Sequence, residues 1–134
     1  MKNILFLVLL AISFCSCSKS STAPTYTLIG TWQMTSQTTV TTYKDGTPTT
    51  TRTITFLPND ETLVFGSDEA KYDERGFMLY MGPYSYSGNT ITYANNSFLT
   101  TQTVLTLTDK TLVVVSTKRI LGDVKESTDT FNRL

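Results

Sequence analysis

Histidine is absent from these 134 residues. With it go the commonest general base, the commonest zinc ligand and every Ser-His or Cys-His nucleophile. Charge is scarce, at 16% of residues, and balanced, with 11 Lys plus Arg against 11 Asp plus Glu. A chain with no net charge and no basic block lacks the local excess of Lys and Arg that nucleic acid requires. The two cysteines, Cys15 and Cys17, fall within the first seventeen residues, so nothing downstream can form a disulfide or a thiolate metal site. No window of twelve residues repeats apolar positions at helical spacing, and the length fits one domain rather than a two-domain enzyme. The expectation is a non-catalytic chain with no metal and no other cofactor.

What is present begins with an apolar run. After Met1-Lys2-Asn3 it extends from Ile4 to Phe14, eleven residues broken only by Ser13. It is shorter than the ~20 residues of a membrane-spanning helix and has the length of a secretory signal core. The segment Phe14-Cys15-Ser16-Cys17-Ser18-Lys19 resembles a bacterial lipoprotein cleavage box, in which the cut precedes a lipidated cysteine with a small residue before it. Ser16 makes Cys17 the better candidate. Cys15 follows the bulky Phe14, and these two residues depart from the Leu-Ala/Ser usual there. The resemblance implies a signal peptide over 1–16, a lipidated cysteine and flexible tether over 17–26, and a folded domain over 27–134. It also implies diacylglycerol and an N-acyl chain such as palmitate on Cys17. Two or more chains give a stable anchor, each buried CH₂ contributing about 0.8 kcal/mol. Membrane lipid is therefore the implied partner and the bacterial cell envelope the implied location. Surface-exported lipoproteins of this kind carry acidic residues after the cysteine. Ser18-Lys19-Ser20-Ser21 does not, which points to an outer membrane anchor facing the periplasm.

The chain is rich in threonine, with 27 in all, every one after residue 21. Threonine is β-branched and favours strands over helices. Turn signals divide the rest into strand candidates. The first runs over 27–43, with Leu28, Trp32, Met34 and Val40 on one parity, and ends at Lys44-Asp45-Gly46. Strands follow over 49–57 and 62–66, then a charged stretch over 68–75 that reads as a loop or edge segment. Apolar residues over 76–81 stop at Gly82-Pro83 and resume over 84–87. Further strands span 90–93, 100–107, 111–118 and 127–134. Eight or nine short strands with local turns pair antiparallel with their neighbours. Alternating Thr and apolar residues imply one wet and one buried face. A single sheet of this length buries its apolar face by closing, so the expectation is all-β, an antiparallel up-and-down barrel of about eight strands.

Leu28-Ile29-Gly30-Thr31-Trp32 resembles the Gly-X-Trp signature of the lipocalins. In that fold the Trp closes one end of the barrel under an Arg from the last strand, which implies Gly30, Trp32 and Arg133 as barrel-closing residues. Ile54-Thr55-Phe56 with Asn59-Asp60, Gly88-Asn89-Thr90-Ile91, and Leu107-Thr108-Asp109-Lys110-Thr111-Leu112-Val113 complete the set. In that order they are similar to the small lipocalin-like lipoproteins of Bacteroidetes. The resemblance implies a small apolar or amphipathic ligand. Against it stands a filled-core interaction module docking onto another envelope protein, because an eight-strand barrel is only just wide enough to hold a small ligand.

Tyr72, Tyr80, Tyr84, Tyr86 and Tyr93 crowd the middle of the chain, and aromatic faces line binding pockets. They are the candidate ligand-binding residues, although cross-strand aromatic pairing explains such a cluster as well. Met34, Met78 and Met81 read as pocket lining or core filler. Asp68, Glu69, Asp73 and Glu74 form an acidic cluster interleaved with Lys71 and Arg75, which reads as a solvated turn rather than a calcium site.

Overall fold

The computed structural model describes residues 25–94, 96 and 99–134. The signal segment, Cys15, Cys17 and the tether as far as residue 24 lie outside the described residues. The described chain is all-β, with nine strands: β1 (Gly30–Thr42), β2 (Thr50–Thr55), β3 (Glu61–Phe65), β4 (Glu69–Glu74), β5 (Phe77–Ser87), β6 (Thr90–Tyr93), β7 (Thr101–Leu107), β8 (Thr111–Ile120) and β9 (Asp123–Arg133). All pairings are antiparallel, and β1 together with β3–β9 closes an eight-strand barrel. The ninth strand, β2, pairs with β1 outside that ring.

β1 carries the closure. Along one edge it pairs with β9 from Trp32↔Arg133 to Thr42↔Val124. Along the other it pairs first with β3, over Gly30–Gln33, and then with β2, over Ser36–Thr41. Between the two stretches β1 bulges at Thr35, whose hydroxyl donates to the Thr130 carbonyl at 3.0 Å. A bulge inserts one residue and moves every later side chain to the opposite face. Trp32 and Met34 therefore point inward before it and Gln37 after it. Val40, expected to share the Trp32 face, lies on the other.

Gln33 points outward but is buried beneath the connection from β2 to β3. Its amide nitrogen donates to the carbonyls of Met34 (3.1 Å) and Glu61 (3.0 Å), and its amide oxygen accepts from Asn59 N–H at 2.6 Å. One side chain thus holds the crossing by which β2 leaves the ring and β3 re-enters it.

Three hairpins turn on consecutive residues with positive φ: Arg75-Gly76 (51° and 87°), Gly88-Asn89 (55° and 63°) and Leu121-Gly122 (54° and 100°). Positive φ at both central residues is the type I′ turn, whose twist matches that of the flanking strands. The charged stretch over 68–75 is a strand of the ring, β4, paired with β3 and β5. Its carboxylates serve local geometry: Asp73 Oδ1 accepts from Gly76 N–H at 2.7 Å, and Glu69 meets Lys71 at 2.9 Å. Gly82-Pro83 does not end a strand either. β5 runs through it past a register shift at Met81, the kind of irregularity at which a sheet tolerates proline.

The two ends of the barrel differ. At one end β1 begins and β9 finishes, and the largest fully buried side chains, Trp32, Phe65 and Phe131, pack with Ile91, Leu112 and Val114. Trp32 Nε1 donates to the Leu28 carbonyl at 2.7 Å. The Arg133 guanidinium lies 4.3 Å from the Trp32 ring centroid and donates to Ile29 O (2.9 Å) and Thr27 O (2.6 Å). This end is filled. At the other end β4 turns into β5 and β8 into β9.

Candidate functional site

Successive inward rungs of the β1–β9 pair show where filling stops. Trp32 faces Arg133, Met34 faces Phe131, and Gln37 lies opposite Asp129. The last rung is polar, and above the Met34–Phe131 layer the barrel holds a cavity of about 230 Å³. That is room for a small organic molecule. Met34, Leu63, Met81, Leu99 and Phe131 form its apolar wall, and Gln37, Tyr72, Tyr93, Gln102 and Asp129 its polar one.

Local structure explains each placement. The Thr35 bulge turns Gln37 inward, and the register shift at Met81 leaves that side chain opposite no partner residue, free to line the cavity. Leu63 and Tyr72 are cross-strand partners in β3 and β4, so both project to one face. Tyr93, at the end of β6, donates from its hydroxyl to Gln102 Oε1 at 2.6 Å. The Tyr72 hydroxyl donates to Glu61, and Gln37 Nε2 donates to Asp129 Oδ1 at 2.9 Å.

Burial governs the ionisation of these groups. It pushes the Tyr72 phenol far above its ordinary value, with the bond to Glu61 adding to the effect. It does the same to Tyr93. Desolvation also raises the Asp129 carboxyl above the usual carboxylate range; the Gln37 bond opposes this and the charge of Glu61 adds to it. Asp129 is bonded to an amide, which cannot become a nucleophile, and both phenols stay protonated.

A family model described as the lipocalin-like domain matches residues 28–114, well over half of the chain. The chain belongs to the lipocalin-like domain family. No curated protein and no solved structure matches it significantly. The matched segment of this lipocalin-like domain contains Gly30 and Trp32 and stops before Asp129 and Arg133.

Of the five tyrosines singled out in the sequence, the structure brings two to the cavity, Tyr72 and Tyr93. Tyr84 packs edge-on against Phe65, with ring centroids 4.9 Å apart, and donates to Gly66 O at 2.8 Å, which makes it part of the filled end. Tyr86 shares a face with Ile91 but sits beside the Gly88-Asn89 turn, at the rim. Tyr80 pairs with Lys71 and is 62% exposed, so it is not a lining residue. Met34 and Met81 line the cavity, whereas Met78 stands exposed near the β4–β5 turn. Among the described residues no cluster of Asp, Glu, His or Cys could hold a metal ion.

Sequence reading missed Gln37, Gln102 and Asp129. The signal for Asp129 was present: in Ser127-Thr128-Asp129-Thr130-Phe131 it shares parity with the inward Phe131. Gln37 gave none, because the bulge that turns it inward leaves no mark in the alternation.

Proposed function

We propose that this lipocalin-like domain is a non-catalytic carrier that holds a small amphipathic molecule inside the barrel and is anchored to a membrane of the bacterial envelope through acylated Cys17. The observation that supports binding is the half-filled interior. A barrel needed only as a scaffold gains stability by filling itself, at about 25 cal/mol per Å² of apolar surface buried, yet here the packing stops at Met34 and Phe131 and polar groups take over. An apolar wall facing a few fixed polar groups is the usual composition of a small-molecule site.

Native mass spectrometry of the chain purified from a bacterial envelope tests this reading. An added mass that leaves on denaturation is expected, and its value gives the ligand class. A bare monomer mass, unchanged after incubation with envelope lipid extracts and small metabolites, would overturn it. The anchor has its own test. Cys17→Ala is expected to move the chain out of the membrane fraction and abolish incorporation of a palmitate analogue. Labelling that persists transfers the anchor to Cys15.

A further inference from the structure

The cavity wall carries a buried carboxylate and no basic residue, and that uncompensated charge names a ligand. Gln37 Nε2 donates to Asp129 Oδ1, which leaves Asp129 Oδ2 and Gln37 Oε1 as acceptors, while the Gln102 amide supplies neutral N–H donors on the same wall. The phenolic protons of Tyr93 and Tyr72 are spent on Gln102 and Glu61, which leaves their oxygens with lone pairs only. A carboxylate offers acceptors alone, and a phenol that has given its proton away does the same. Asp129 is buried at 7% exposure, and no basic residue lines the cavity beside it. Lys118 and Lys125, cross-strand partners on the same face as Val114 and Asp129, line a second pocket two rungs further toward the open end, which shares only Leu99 with the cavity. A buried carboxylate answered by one neutral amide bears a desolvation cost that its surroundings do not offset. A ligand that brings a positive charge and several N–H donors removes that cost, and the aromatic rings of Phe131, Tyr72 and Tyr93 among the lining suit the carbon next to a cationic nitrogen.

We propose that the ligand of this cavity is a small amphipathic cation, a primary amine on an apolar body, and that Asp129 is its counter-ion. The proposal rests on the carrier reading above and narrows it to one ligand chemistry. It predicts that a neutral or anionic molecule of the same shape binds more weakly, because neither relieves Asp129.

The test compares three probes of nearly one shape on the full chain, by two-dimensional amide NMR titration: benzylamine at neutral pH, benzyl alcohol and benzoate. Benzylammonium is expected to bind with shifts centred on Gln37, Gln102 and Asp129, and benzyl alcohol about tenfold or more weaker, since loss of a buried charge partner costs at least that much. Benzoate is expected to be weaker again. In Asp129→Asn the preference for the amine over the alcohol is expected to vanish while alcohol binding persists, which shows the variant folded and its cavity intact. Equal or tighter binding of benzoate, or an amine preference that survives in Asp129→Asn, overturns the proposal and leaves the carrier reading standing. Failure of all three probes to bind sinks both.

Discussion

Arg133 does three things with one side chain. Its guanidinium covers Trp32, its two terminal nitrogens hold the carbonyls of Thr27 and Ile29, and its bulk fixes the residue at position 30. A Cβ at Gly30 would stand 3.0 Å from Arg133 Nη1, and the φ of 141° there is one that L side chains rarely adopt. Gly30, Trp32 and Arg133 could be picked out in the sequence only through the resemblance to the lipocalin pattern. Trp32→Ala is expected to cost ~3–5 kcal/mol, as for a large buried aromatic, measured by chemical denaturation. A loss under about 1 kcal/mol would place the indole outside the core. Asp129 carries no signature, and its importance arises only when Gln37, Glu61, Tyr72 and Tyr93 surround it. Its carboxyl titrates higher in the folded than in the unfolded chain, so the folded state binds the extra proton. Stability contributed by that proton is present below the unfolded value of about 3.9 and is lost as pH rises through the folded value. Asp129→Asn is therefore expected to raise Tm at pH 7 and to change it little near pH 3.5. A Tm difference equal at both pH values would show that burial of the charge is not the cause.

At the scale of elements, what the sequence conceals is irregularity. Period-two alternation marks strands well, and the stretch over 90–93 matches it closely. It fails wherever one residue is inserted: at Thr35, which reverses the facing of Val40 and Gln37, at Met81, where β5 bends through Gly82-Pro83, and at Leu105, which β7 leaves without a partner in β8. β4 was hidden for another reason. Its sequence, Glu69-Ala70-Lys71-Tyr72-Asp73-Glu74, places only Ala70 and Tyr72 on the inner face between charged outer residues and resembles a solvated turn. Partners on both sides make it a strand, and no local propensity could show that. The β8–β9 turn is the converse case, correct in form with an ill-suited residue. Leu121 takes a φ of 54° with 98% of its surface exposed, a conformation that costs an ordinary L residue roughly 1–2 kcal/mol. Asn is at home there. Leu121→Asn is expected to stabilise the chain by ~0.5–1 kcal/mol, read as a rise in the denaturation midpoint at unchanged slope, and a fall in the midpoint would reject the turn assignment.

For the whole molecule, the barrel is a stack of layers that changes character partway along its axis. Leu28, Trp32, Phe65 and Phe131 close one half, and the other half keeps its space. The eight-strand closure followed from strand count and turn spacing in the sequence. The position of the last filled layer did not, because it depends on how side-chain volumes meet across strands distant in the chain. Met34 lies at that boundary. Met34→Phe is expected to extend the filled half into the cavity, leaving the denaturation midpoint within about 1 kcal/mol for a roughly volume-conserving apolar change while abolishing any ligand adduct in native mass spectrometry. An adduct retained at full occupancy would put the ligand elsewhere on the molecule.

The chain enters the barrel beside Arg133, at the end opposite the cavity. Whatever precedes residue 25 is therefore attached behind the floor. Were Cys17 acylated as proposed, the chain from Cys17 to Thr25 could reach at most ~30 Å even fully extended. On the proposed acylation of Cys17, attachment on the sealed side would turn the cavity's opening away from the membrane, and a ligand would exchange with the aqueous space rather than be drawn sideways out of lipid.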